Sequence, residues 1–156
     1  MKTPNRQIRI LLSLLFFAAL MLGNTGCKKE TTTPEASMTA NINNSNITFN
    51  TTLNNSNGFT IIQGTSSNYT LTVVLQTLSP SIFTLGAQST GYYATVSDNF
   101  GNSYSTDAAN TGQINLSTSS STTSRYNGTF YFIANETAPS QGGGNINVTS
   151  GTCSNI

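Results

Sequence analysis

Between residues 126 and 134 the chain alternates with a period of two. Tyr126, Gly128, Phe130, Phe132 and Ala134 fall on one side, and Asn127, Thr129, Tyr131 and Ile133 on the other. That period belongs to an extended strand with one face on a core and one on solvent, not to a helix. The same pattern recurs along most of the chain, separated by clusters of Asn, Ser, Gly and Pro that favour turns.

Met38, Ala40 and Ile42 share a face, and Asn43-Asn44-Ser45-Asn46 reads as the turn that follows. Ile47 and Phe49 open a second strand, closed by Asn54-Asn55-Ser56-Asn57-Gly58. Residues 59–64 and 69–76 flank a short polar loop, which predicts a hairpin. In its second arm Tyr69, Leu71, Val73 and Leu75 alternate with Thr70 and Thr72, but Val74 breaks the pattern and predicts a strand buried on both faces. A short strand is expected at residues 82–85, and a second hairpin at 92–97 and 103–106 around Asp98-Asn99-Phe100-Gly101-Asn102. Residues 112–118 carry Ile114 and Leu116 on one face, 119–124 and 139–144 read as loops, and a last strand at 145–153 aligns Ile146, Val148 and Ser150. Strands at this spacing, with no helical period among them, predict an all-β fold: an antiparallel sandwich or flattened barrel of about nine or ten strands.

Low charge raises the question of disorder, which usually combines high net charge with few aromatics. Here charged residues are 7% and aromatics 9% of the chain. The polar residues are Asn, Ser, Thr and Gln, interleaved with Phe, Tyr, Ile, Leu and Val, a composition of pleated sheets and their turns.

The first residues carry a different message. Lys2, Arg6 and Arg9 form a basic head, residues 10–22 are apolar except Ser13, and Gly23-Asn24-Thr25-Gly26 leads to Cys27. This is a secretory signal, too short for a bilayer core of about 30 Å. The expected organisation is a signal peptide over 1–26, an acylated Cys27 with a flexible threonine-rich tether over 27–37, and a single β domain over 38–156. A domain of this size buries roughly two-thirds of its unfolded surface and needs neither disulfide nor metal. With Cys27 acylated, Cys153 has no partner in the chain and is expected as a small buried side chain, the alternative being an intermolecular disulfide.

A cysteine just past the signal resembles the lipobox of bacterial lipoproteins. Cys27-Lys28-Lys29-Glu30, Met38-Thr39-Ala40, Ile62-Gln63-Gly64-Thr65, Tyr92-Tyr93 and Tyr104-Ser105-Thr106 are similar to segments of small Bacteroidota-type lipoproteins of uncharacterised function. So are Gly112-Gln113-Ile114-Asn115-Leu116, residues 127–132 and residues 148–152. The chain departs from them in lacking a bulky residue such as tryptophan near the second strand, and in placing Cys153 where an aromatic is expected. The resemblance implies a compact β domain anchored by palmitate-type acyl chains on Cys27, and carries over no activity. Because Lys28 rather than an acidic residue follows the cysteine, it implies the cell outer membrane, with the periplasmic or surface face left open.

The inventory leaves little room for catalysis. There is no histidine, so Ser-His-Asp and Cys-His arrangements cannot be assembled. No lysine follows Lys29, which removes Schiff-base chemistry from the domain. Asp98, Asp107 and Glu136 are the only carboxylates available there for glycoside hydrolysis, and all sit in or beside predicted turns. Asp98 and its neighbours offer oxygens for calcium, but their spacing reads better as a hairpin turn. Gly142-Gly143-Gly144 lacks the Lys and Ser/Thr of a phosphate-cradling loop. Without a basic patch, nucleic acid is excluded as a partner.

Tyr93 and Tyr131 should point away from the core, and a tyrosine exposed beside Asn and Thr can stack on a sugar. The expectation is a non-enzymatic envelope lipoprotein without cofactor or metal, held in the membrane by its lipid. It would act as a binding or accessory module for glycans or envelope proteins. The alternative is a β-barrel carrier of a small apolar ligand, for which Gly128 and Ala134 hint at interior space.

Overall fold

A computed structural model describes residues 35–120, 125–138 and 144–156. The signal peptide, Cys27 and the tether up to residue 34 lie outside these residues, as do most of the two loops expected at 119–124 and 139–144. Ten antiparallel strands form one sheet: β1 (Ser37–Ile42), β2 (Ser45–Ser56), β3 (Phe59–Thr65), β4 (Tyr69–Leu75), β5 (Ile82–Leu85), β6 (Tyr92–Asp98), β7 (Ser103–Ser105), β8 (Gly112–Ser120), β9 (Arg125–Ala138) and β10 (Asn145–Ser154).

The sheet closes on itself. β1, β2, β3, β4, β6, β7, β9 and β10 pair in succession, and β10 pairs back onto β1, giving an eight-stranded barrel with β5 and β8 outside the ring. Of the two expected forms, sandwich or flattened barrel, the all-β chain takes a closed barrel. Closure removes the open edges that an eight-strand sheet would expose.

Local sequence explains the tight connections. Asn43 and Asn44 (φ 47° and 69°), and Asn57 and Gly58 (φ 51° and 82°), occupy the left-handed region at both central positions of two-residue hairpins, the geometry that matches strand twist. Both turns are shorter than the sequence predicts. Ser45 and Asn46 already pair with β1, and Asn54, Asn55 and Ser56 continue the ladder to Phe59. β2 hands over from one neighbour to the next along its length, pairing with β1 up to Asn50 and with β3 from there on.

The wall between β6 and β9 is split. β7 is three residues long and meets the far end of β9 at residues 135–138, while β8 takes the same edge of β9 over 125–132. β5 then pairs outside β8, and Phe83 stacks on Tyr92 of β6 with ring centroids 5.3 Å apart. Where β5 ends and β7 begins to diverge from β6, Thr106 is buried and joins three segments. Its hydroxyl donates to Gly86 O (2.7 Å) and accepts from Ala94 N (3.0 Å), while its own N–H donates to Ala94 O (2.9 Å).

The inward parity of the strands fills the interior. Met38, Ile42, Ile62, Leu71, Val73, Leu75, Val96, Phe132 and Val148 are all buried to within 1% exposure. Gly64 is bare because a Cβ there would stand 2.8 Å from Phe49 Cβ and 2.9 Å from Met38 Sδ. Val74 is buried on the outer side between Ile61 and Tyr93, so β4 is covered on both faces as its sequence predicts.

Candidate functional site

The outer face of β8, β9 and β10 presents two large exposed side chains on regular strand positions. On β9, Phe130 and Phe132 turn into the core, so alternation turns Tyr131 and Ile133 out, 53% and 41% exposed. Gln113 of β8 lies directly across from Tyr131, and Asn147 of β10 across from Ile133. Thr129, Asn135, Asn115 and Thr152 extend this surface, and every residue named on it is uncharged. The expectation that Tyr131 faces outward holds; Tyr93 is half-buried.

β10 does not keep the phase its sequence predicts. Val148 pairs with Phe132 and Gly151 with Phe130, so Thr149 and Ser150 together oppose Tyr131 in a β-bulge. Ser150 has φ 48° and is exposed, correcting its expected alignment with Ile146 and Val148. The cause lies in the core. A Cβ on Gly151 would run into Cε2, Cδ2 and Cζ of the Phe130 ring, so only a bare backbone can pass beneath that ring. The bulge then puts Gly151 and Cys153 inward. The signal was present in the sequence: inward residues are even-numbered at Ile146 and Val148, but the apolar Cys153 is odd.

The three carboxylates do not gather at one point: Asp98 and Glu136 both act on Tyr104, and Asp107 does not. Asp98 Oδ1 accepts from the N–H groups of Phe100 and Asn102 (both 2.9 Å), and Oδ2 from Asn102 Nδ2 (2.7 Å). Burial pushes its carboxyl upward, but the hydrogen bonds from the Asn102 side chain and from the Asn102, Phe100 and Gly101 backbone outweigh it and hold the group below its usual range. The turn thus uses this carboxylate itself, as the hairpin reading of the segment predicts.

Asp107 is lowered by the backbone and side chain of Asn110 and by the Ala109 N–H. It follows Thr106, which bonds to Ala94; at about 3.3 Å per strand residue that level is about 13 Å from Asp98, beyond the separation of a glycosidase pair. Glu136 pairs in register with Tyr104, whose hydroxyl burial raises, aided by Asp98, Glu136 and Tyr69. Among the described residues no three His, Cys, Asp or Glu side chains come together to hold a metal ion.

Cys153 is a free, buried thiol, and burial pushes its pKa from the ordinary 9.0 up to about 12. It behaves as the small core side chain expected of it. Gly128, read as a hint of interior space, is instead a point of close packing: a Cβ there would meet Leu116 Cδ2 at 2.6 Å and Cys153 Sγ at 3.0 Å. Recesses open beside the first residues of β1 and beside the β3–β4 turn. One of about 470 Å³ lies beside Glu35, Ala36, Ser37 and Phe49, and a polar one of about 90 Å³ lies between Asn68 and Asp98.

Sequence reasoning did not foresee the exposure of Phe100 (84%) and Ile82 (60%), nor the buried role of Thr106. No local pattern marks a threonine for a bond to residues 12 and 20 positions away.

Among curated proteins and among solved structures, nothing matches the chain. A family model does match, a domain of unknown function (DUF6252), over residues 35–156, the span of the barrel. The chain belongs to the DUF6252 family.

Proposed function

We propose that the protein is a non-enzymatic, lipid-anchored module of a bacterial outer membrane that binds glycans or partner proteins. Cys27 carries the acyl chains, and the barrel displays the outer face of β9 to its partner. Two or three acyl chains give effectively permanent attachment, where one would hold only weakly. The observation that supports the binding role best is an uncharged sheet face with Tyr131 half exposed at its centre, on a scaffold whose core is filled. Tyrosine supplies a large, rigid contact surface at low entropic cost.

Two measurements test this. Labelled palmitate should enter the wild-type chain and not Cys27→Ser, and the variant should leave the membrane fraction. A photo-crosslinking residue at position 133, which leaves Tyr131 in place beside it, should capture glycan or protein on intact cells or spheroplasts. Absence of label, or fractionation unchanged in Cys27→Ser, overturns the anchor; silence at position 133 overturns the binding face.

Barrel closure favours a second reading, a carrier of small apolar ligands. Against it, Phe132, Met38, Ile62 and Leu71 occupy the inward positions. A stoichiometric apolar molecule extracted from the purified protein would decide for the carrier.

A further inference from the structure

We infer that the face of β8, β9 and β10 around Tyr131 binds a neutral polysaccharide, an inference that rests on the binding-module reading and names its ligand class. Three strands about 4.8 Å apart set Gln113, Tyr131 and the Thr149–Ser150 bulge in a row about 10 Å long. The centre of the row is an aromatic ring with a polar tip, which offers an apolar face to a sugar ring and a hydroxyl to its rim. On either side stand an amide and two hydroxyls. These groups both donate and accept hydrogen bonds, as sugar hydroxyls do.

Charge selects among possible occupants. Along β9 the nearest charged positions are Arg125, six residues or about 20 Å from Tyr131, and Glu136, which has the inward parity and pairs with Tyr104. Among the described residues of these strands a polyanion finds no cation beside the row, and a polycation finds no acid. A protein partner of ordinary interface size would need an apolar centre fitted to about 800 Å² per side. Tyr131 and Ile133 alone do not supply one. A neutral, hydroxyl-rich chain matches what is there.

The bulge follows from the core, but the choice of side chain at 150 does not. Gly151 must be bare to pass under Phe130, but nothing in the core calls for a serine in the left-handed region at 150, where glycine or asparagine is at ease. Placing Ser there puts a second hydroxyl opposite Tyr131. Backbone outliers of this kind cluster at binding sites.

The test is affinity electrophoresis of the full chain, extracted in mild detergent, through native gels holding dextran, yeast mannan or hydroxyethylcellulose, with alginate as the charged comparator. Retardation in at least one neutral gel is expected, weakened tenfold or more in Tyr131→Ala and less in Tyr131→Phe, which keeps the ring. Gln113→Ala is a second, milder variant should Tyr131→Ala misfold, and should weaken retardation several-fold. Migration unaffected by every neutral gel overturns the inference, as does retardation equal in wild type and Tyr131→Ala, or seen in alginate alone. Protein-only crosslinks at position 133 also overturn it while leaving the binding-module reading intact. Silence at position 133 removes both.

Discussion

The hydroxyl of Thr106 lies 2.7 Å from the carbonyl oxygen of Gly86, and this bond ties the end of β5 to the segment leaving β7. The Thr106 hydroxyl oxygen in turn accepts the Ala94 N–H of β6, so one buried side chain satisfies two backbone groups at the split in the barrel wall. Replacing it with valine keeps the shape and leaves both groups unpaired in the core. Thr106→Val should cost about 2–3 kcal/mol in urea unfolding, and Thr106→Ser much less. A loss in Thr106→Ser larger than that in Thr106→Val would show that the methyl, not the hydroxyl, matters.

Gly151 passes beneath the Phe130 ring, and a methyl group there has nowhere to go. Gly151→Ala should destabilise the protein by about 1–3 kcal/mol through overpacking. In a Phe130→Leu background the further loss should shrink, because the obstructing ring is gone. A double-mutant cycle on unfolding midpoints measures this coupling, and strict additivity would contradict it.

Cys153 keeps its proton in the folded barrel up to about pH 12, whereas in the unfolded chain it ionises near 9.0. Its stabilising contribution is whole below pH 9 and declines as pH rises through that window, by at most about 1.4 kcal/mol per pH unit. Cys153→Ala should flatten that alkaline limb. The native thiol should also resist a thiol reagent at pH 8 until denaturant is added.

Asp98 and Asp107 both titrate below the ordinary 3.8 because turn N–H groups hold their charged forms. Their contribution is present above that pH and disappears as pH falls through the lower folded values. Asp107→Asn should therefore show a shallower loss of stability between pH 4 and 2 than the parent, measured by thermal melts across that range. An unchanged acid limb would mean that the Asp107 turn is formed equally well without the charge.

Strand identity was legible in the sequence because a period of two survives wherever one face is buried. Phe130 and Phe132, Leu71 and Val73, and Met38 and Ala40 all announce their inward face. The same alternation placed Tyr131 outside. What alternation cannot give is the partner of a strand, so the pairing of β10 with β1 and the departure of β5 and β8 from the ring were not visible. Turn lengths were overestimated for a related reason: Asn and Ser look like turn residues by composition, yet in β2 they sit in the ladder because the neighbouring strand supplies their bonds. The bulge was missed because a strand was assumed to hold one phase, and Gly151 is where crowding from across the core overrides it.

Ser37 and Ser154, at opposite ends of the barrel's sequence, are both register neighbours in one ladder. No partial chain can complete this topology: an amino-terminal fragment lacking β10 leaves β1 and β9 as two raw borders. Assembly must therefore await arrival of the last ten residues of strand, a high contact-order path that is slow and exposed to aggregation. For a polypeptide synthesised in linear order, the docking of its final strand is the moment at which it becomes a protein.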